Sequence, residues 1–260
     1  MREPEDRKAT EKRMHDIAFS GTTDYRKKQE IFYSNDIQDT EFEYIFELFG
    51  DLRDKKALIY GVGDQTSLIK DFIDRGAYVT AIDISSEAVK RIKENIAHND
   101  YNNKCDVLEM DCENLTFEKD SFDIVFGRAI IHHLDIDKSL EKIYYVLKYG
   151  GKVAFVEPLG TNPVIQLYRR FTPKDRTPDE HPLLSSDLAL FSEYFDKVHF
   201  KYLYALALLA FIVRMTTKND GLFMKFFNFL RKIDDMLLRI PGYRLLCWDI
   251  IICGEKQSGK

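Results

Sequence analysis

Two glycines and three strand-end carboxylates are the residues best spaced for chemistry. Gly61-Val62-Gly63-Asp64 follows the apolar run ALIY, and a backbone turned by two glycines can approach a ligand closely. Asp83 closes the run YVTAID 22 positions after Gly61, where an acid can accept both hydroxyls of a ribose. Met110-Asp111-Cys112 ends a further run with an acid and a small residue, suited to an adenine amino group through the carboxylate and a ring nitrogen through a backbone N–H. This set reads as a nucleoside site. Because GVGDQT lacks the third glycine of GxGxxG, a pyrophosphate-linked dinucleotide is disfavoured, and a nicotinamide-dependent oxidoreductase with it.

A second group of residues could move a proton. FDIVFGRAIIHHL supplies Gly127, Arg128, His132 and His133, and KVAFVEP places Glu157 before a proline. If the acceptor is a hydroxyl or an acidic carbon, His133 is the first choice of base, with Glu157 beside it and His132 behind. The plainer alternatives are structural turn histidines and a glutamate that accepts backbone hydrogen bonds. Downstream, Tyr168, Arg169, Arg170 and His181 lie in a segment able to fold over an acceptor. Guanidinium forks suit a carboxylate or phosphate, although a solvated basic loop is the simpler reading.

These residues need a scaffold, and the pattern between Lys56 and Pro158 supplies one: short apolar runs alternate with amphipathic segments, as in a parallel sheet flanked by helices. SLIKDFIDRG puts Leu68, Ile69, Phe72 and Ile73 on one helical face and stops at Gly76. Ser85 or Ser86 caps a helix burying Val89, Ile92 and Ile96, and a helix with Leu140, Ile143, Val146 and Leu147 is predicted to end at Gly150 and Gly151. Ahead of the sheet, Phe42, Ile45, Phe46 and Phe49 predict a helix from Glu41 to Gly50, while residues 1–40 read as a polar, lid-like leader with scattered Phe19, Tyr25, Phe32 and Tyr33. Behind it, KVHFKYLY and WDIIICGE are strand candidates.

The set from the glycine turn to LKYGGKVAFVEP resembles the class I S-adenosylmethionine-dependent methyltransferases over roughly residues 50–160, above all the small-molecule branch that includes ubiquinone and menaquinone biosynthesis enzymes. The resemblance implies that Gly61 and Gly63 hold the methionine part, Asp83 the ribose, and Asp111 with Cys112 the adenine, with Asp64 and Ile84 also at the cofactor. Gly127 and Arg128 would form the floor beneath the sulfonium. It also implies a doubly wound, Rossmann-like α/β fold with a seven-stranded sheet whose final antiparallel pair is KVHFKYLY and WDIIICGE. Two positions depart from the family's GxGxG turn: Gln65 stands at the third glycine, and Tyr60 precedes Gly61.

The expected organisation is a lid over residues 1–40 and a methyltransferase domain over 41–260, with 159–195 and 205–245 as acceptor-side caps. The expected reaction moves the methyl of S-adenosylmethionine to a small apolar or amphipathic acceptor, leaving S-adenosylhomocysteine; the alternative is a non-catalytic S-adenosyl ligand-binding or regulatory protein. A net charge of −5 argues against nucleic acid as partner. Four cysteines without a CxxC pair argue for reduced thiols and against a zinc site, and no metal is expected. The charged start MREPEDRKATEKR lacks a secretory core, so a cytoplasmic protein is expected. The run Tyr202 to Val213 is too short to span a bilayer and is predicted to be buried. Residues 222–246 form a basic amphipathic segment that suits a membrane surface, a cap on the sheet or a homodimer contact.

Overall fold

Strands that are apolar on both faces require cover on both sides, and the chain supplies it by alternating strand and helix. A computed structural model describes residues 4–20, 35–63, 65–97, 101, 103–172 and 180–257. The elements are α1 (Pro4–Phe19), α2 (Asn35–Phe49), β1 (Lys56–Tyr60), α3 (Thr66–Asp74), β2 (Tyr78–Asp83), α4 (Ser86–Ala97), β3 (Cys105–Glu109) and β4 (Phe122–Arg128). A 3-10 turn (Ile131–His133), α5 (Ile136–Val146), β5 (Leu147–Pro158), α6 (Pro163–Phe171), α7 (Ser185–Tyr194) and β6 (Asp196–Leu203) follow. The chain then runs through a second 3-10 turn (Leu206–Leu209), α8 (Ala210–Thr217), α9 (Asp220–Leu237), a third 3-10 turn (Tyr243–Leu246) and β7 (Asp249–Glu255).

The sheet has seven strands in the order β3-β2-β1-β4-β5-β7-β6. The first five pair in parallel, and β7 lies antiparallel between β5 and β6, as the resemblance implies. Side chains alternate between two cores with the period of two that strands impose. Ala57, Ile59, Ile124, Phe126, Ile251 and Cys253 join one core; Leu58, Tyr60, Val125, Ile250 and Ile252 join the other. Phe72 of α3 is buried in the first, its ring 5.0 Å from Phe46 and 5.9 Å from Phe126. Leu140, Ile143 and Phe191 fill the second from α5 and α7.

Three expectations are corrected. Within the leader α1 is a helix without an apolar stripe, held by ion pairs of Arg7 to Glu113, Lys8 to Asp111 and Lys12 to Glu109. Tyr25, Phe32 and Tyr33 lie outside the described residues. Helix α2 begins at Asn35 instead of Glu41. Helix α5 ends at Val146, before the glycines, because the buried ammonium of Lys256 takes the carbonyls of Tyr144 and Leu147, 2.7 and 2.6 Å away. The run Tyr202 to Val213 is not uniformly buried: Ala207, Ala210 and Phe211 point inward, whereas Leu209 and Ile212 face solvent.

Candidate active site

The carboxyl ends of β1, β2 and β3 meet beneath α1. Gly61 and Gly63 both adopt left-handed backbone, φ +63° and +55°, which a side chain would strain. Asp83, buried at the end of β2, fixes this turn: its Oδ2 accepts the Gly63 N–H at 2.7 Å and its Oδ1 accepts Ser85 N–H at 2.8 Å. Burial raises the Asp83 carboxyl above its usual range, against the pull of those two N–H groups and of His15. Ser85 Oγ in turn accepts the Ala88 N–H at 3.2 Å, so Ser85 caps α4. Ile84 is half-buried between Asp83 and this cap, and Asp64 lies outside the described residues.

Tyr60, the departure before the first glycine, has a structural role. Its ring is buried against Phe155, centroids 6.2 Å apart, and its hydroxyl donates to the Cys112 carbonyl, tying β1 to the loop after β3. That loop is closed by Asp111, whose Oδ1 accepts the Glu113 N–H at 2.8 Å. Cys112 is buried and Asp111 half-buried. Against a burial penalty, Lys8, the Glu113 N–H and Asn114 hold Asp111 below the usual carboxylate range.

From above, α1 covers this floor. Phe19 lies where a Cβ on Gly63 would meet its Cζ at 3.3 Å, and Asp16 accepts from Ser85 Oγ at 2.6 Å. His15 stacks on Phe19 with centroids 5.8 Å apart. Against burial, the Glu11 hydrogen bond and the charge of Asp83 raise His15 above its ordinary value.

Residues 59–155 match the family described as "Methyltransferase domain". The ubiquinone/menaquinone biosynthesis C-methyltransferase of Geotalea daltonii is 34% identical over 98 residues, 37% of this chain and 42% of that protein. A sterol 4-C-methyltransferase of Caenorhabditis elegans is 27% identical over 39% of this chain and 30% of its own length, so the chain matches less than half of either relative. Among solved structures, phosphoethanolamine N-methyltransferase 2 of Haemonchus contortus with S-adenosyl-L-methionine aligns at TM-score 0.65 and 19% identity, over 94% of this chain and 60% of that one. The geranyl diphosphate C-methyltransferase of Streptomyces coelicolor aligns at 0.63 and 12%, over 91% and 85%. The chain is thus similar to a methyltransferase domain over residues 59–155 and shares the fold of methyltransferase structures, one of them bound to S-adenosyl-L-methionine.

The donor set of the matched region fits that cofactor. Each Asp83 oxygen accepts one backbone N–H and keeps a second lone pair for a ribose hydroxyl, and Asp111 stands at the end of the neighbouring strand.

Beyond β4 the two histidines separate. Glu157, fully buried, accepts the N–H groups of Ile130 and Ile131 at 3.0 and 2.9 Å and holds His132 Nδ1 at 2.6 Å. His132, the second choice from sequence, therefore owns the contact with Glu157. His133 instead faces α1: its Nδ1 lies 3.4 Å from Glu11 Oε1 and its carbonyl accepts from Arg7 at 3.0 Å. Burial, then the charge of His132, lowers the His133 pKa. Farther along, Arg128 is no mere floor; its buried guanidinium binds Glu41 at 3.1 Å. Asp249, also buried, has its carboxyl pushed well above the ordinary value by burial and then by the charge of Glu41.

Of the loop residues, Arg169 bonds Glu180 Oε1 at 2.7 Å and Arg170 is exposed. Against burial, His132, His133 and Arg169 lower the Glu180 pKa. The His181 ring is exposed, while its N–H donates to the His132 carbonyl at 3.1 Å. Sequence reasoning missed Glu11, His15 and Glu180. With His133, Glu11 and His15 bring potential metal-ligand atoms within 4.8 Å of one another, as do His132, His133 and Glu180. No periodic signal marks Glu11 or His15, since both come from the helix held by charge.

Proposed function

We propose that the chain transfers the methyl group of S-adenosylmethionine to a small amphipathic acceptor. The observation that carries this reading is the hydrogen bond from Gly63 N–H to Asp83, which joins the left-handed glycine turn to the acid that would hold the ribose. In this reading Gly61, Gly63 and Asp64 hold the methionine part, Asp83 and Ile84 the ribose, Asp111 and Cys112 the adenine, and Gly127 with Arg128 borders the sulfonium. The bound cofactor supplies a carbon already activated toward displacement, so the chain's task is alignment and exclusion of water.

Helix α1 excludes water, and it must lift to admit the cofactor because Phe19 and Lys8 cover Gly63 and Asp111. A proton leaving the acceptor would go to His132, whose Nδ1 is occupied by Glu157, leaving Nε2 to act as base. His133, beside His132 with ring centroids 4.2 Å apart, is the second candidate.

The alternative, a non-catalytic binding role, would keep the same nucleoside floor without turnover. Calorimetric titration with S-adenosylmethionine, S-adenosylhomocysteine and NADH, beside Asp83→Ala, tests the reading. Binding of both adenosyl ligands that fails in the variant supports it; NADH binding alone, or none, overturns it. Turnover of a screened acceptor separates enzyme from binder.

The protein is expected in the cytoplasm, and residues 222–246 make it peripheral to a membrane. Among the described residues no helix is long and apolar enough to cross one.

A further inference from the structure

The segment between β6 and β7 stands at the carboxyl edge of the sheet, because β6 ends there and the antiparallel β7 begins there. Helix α9 in this segment is apolar on two faces. Phe223 and Phe227 are buried beside Phe211, with Leu230 packed on the same core. A quarter-turn or so away, Leu222, Phe226, Phe229, Ile233 and Met236 form a second stripe at the 4-3-4-3 spacing of one helix face. Ile233 is half-exposed and the other four are exposed, Phe229 at 61% and Met236 at 69%. On α8, Ile212 and Met215 are exposed as well. On the same edge α6 exposes Leu167 and Phe171, and Asn162 at its start binds the Leu246 carbonyl at 2.5 Å.

Charge gathers beside this apolar surface. Residues 206–246 hold seven Lys or Arg and three Asp or Glu, a balance of +4 in a chain of −5. One of the three acids, Asp234, is buried and accepts the N–H groups of Ala205, Leu206 and Ala207. Lys225 and Lys232, seven residues apart, follow one flank of the exposed stripe, and Arg239 continues past the helix end. The exposed Asp235 sits about 140° from the stripe at 100° per residue. A heptad stripe also suits a second copy of the chain, but self-pairing would bring Lys225 and Lys232 against like charge. An anionic surface neutralises them instead.

We propose that α8 and α9 dock the protein onto an anionic lipid surface, with the Leu222–Met236 stripe inserted and Lys225 and Lys232 at the headgroups. The sheet's carboxyl edge then faces the bilayer. With the cofactor side closed by α1, the acceptor enters from the lipid between α6 and the β6–β7 segment. This part of the inference rests on the methyl-transfer reading and narrows the substrate class to a membrane-resident amphiphile.

Co-sedimentation of the full chain with vesicles tests it, using phosphatidylcholine alone and phosphatidylcholine with an equal share of phosphatidylglycerol. The mixed vesicles are expected to bind at least about tenfold more protein, and 0.5 M salt to reverse most of the difference. The double variant Phe226→Asp/Phe229→Asp and, separately, Lys225→Glu/Lys232→Glu are each expected to lower binding at least about tenfold with an unchanged circular dichroism spectrum. All these residues are solvent-facing, and the charge-reversal pair keeps the test sound if the aspartates disturb folding. Equal binding to both vesicles, binding untouched by the charge reversal, or a dimer in sedimentation velocity that Phe226→Asp/Phe229→Asp dissolves would overturn the proposal. Calorimetry with S-adenosylmethionine on the same preparation separates the two readings: cofactor binding without vesicle binding sinks the docking alone, whereas vesicle binding without cofactor binding sinks the methyl transfer.

Discussion

Lys8 Nζ lies 2.6 Å from Asp111 Oδ2, joining the first helix to the end of β3. Arg7 pairs with Glu113 beside it, and these contacts hold α1 over the nucleoside floor. Both Lys8 and Asp111 are partly exposed, so their pair contributes little, about 0.2 to 1 kcal/mol. Replacing Arg7 and Lys8 together with alanine is expected to speed amide exchange at Gly63 and Ser85 several-fold. It should quicken cofactor dissociation by a similar factor. Exchange rates equal to wild type would mean that α1 does not gate the site.

Asp83→Ala removes the acceptor of two backbone N–H groups and of both ribose hydroxyls in the proposed complex. Hydrogen bonds to a charged group are worth about 1.5 to 3 kcal/mol each, so S-adenosylmethionine affinity is expected to fall at least about 100-fold. Calorimetry reads the affinity, and a lowered melting temperature should accompany it, because Gly63 and Ser85 N–H are left buried without their acceptor.

The His132–Glu157 contact allows a test by tautomer. Glu157→Gln keeps a carbonyl oxygen for Ile130 and Ile131 N–H but turns an amide N–H toward His132 Nδ1. His132 must then accept at Nδ1 and carry its proton on Nε2, which removes the base. With an acceptor in hand, kcat is expected to fall at least about 100-fold with cofactor affinity unchanged. The double change with His132→Gln should cost no more than either alone, and additive losses would count against a shared role.

Asp249 makes stability depend on pH. Burial and the charges of Glu41 and Glu157 raise its folded pKa, opposed by Arg128. A carboxyl whose folded pKa exceeds its unfolded value, about 3.9, binds more protons folded than unfolded between the two, so this residue's contribution to stability falls as pH rises through that window. Asp249→Asn removes the term. Thermal unfolding of the variant is expected to gain on wild type with rising pH, and parallel curves would show that Asp249 is ionised throughout.

The sheet was legible in the sequence because each strand has an apolar run and each flanking helix a buried stripe such as Leu68, Ile69, Phe72 and Ile73. The acids of the proposed cofactor floor were legible for a related reason: they end those same runs. What escaped depends on long-range charge. Lys256 stops α5 from more than 100 positions away, and α1 is a helix whose partners are Glu109, Asp111 and Glu113. Neither leaves a local period. His132 and His133 are adjacent and identical, so only the fold decides that Glu157 takes the first and Glu11 the second.

The two turn glycines should respond differently to alanine. At Gly61 a Cβ would meet Ile130 Cγ1 at 2.4 Å and its Cβ at 3.0 Å, on backbone with φ +63°. Left-handed strain and overpacking each cost about 1 to 3 kcal/mol, so Gly61→Ala is expected to lose about 3 kcal/mol or more in denaturant unfolding. At Gly63 the same atom would meet Phe19 at 3.3 Å, and Phe19 sits on a helix that can yield. Gly63→Ala should therefore lose only the backbone strain, about 1 to 2 kcal/mol. Adding Phe19→Ala should leave that loss unchanged, because strain at φ +55° is local, whereas Ile130→Val should recover part of the Gly61→Ala loss. Equal losses at the two glycines would mean that Ile130 moves aside as readily as α1 does, and that the floor of the site is less rigid than its packing implies.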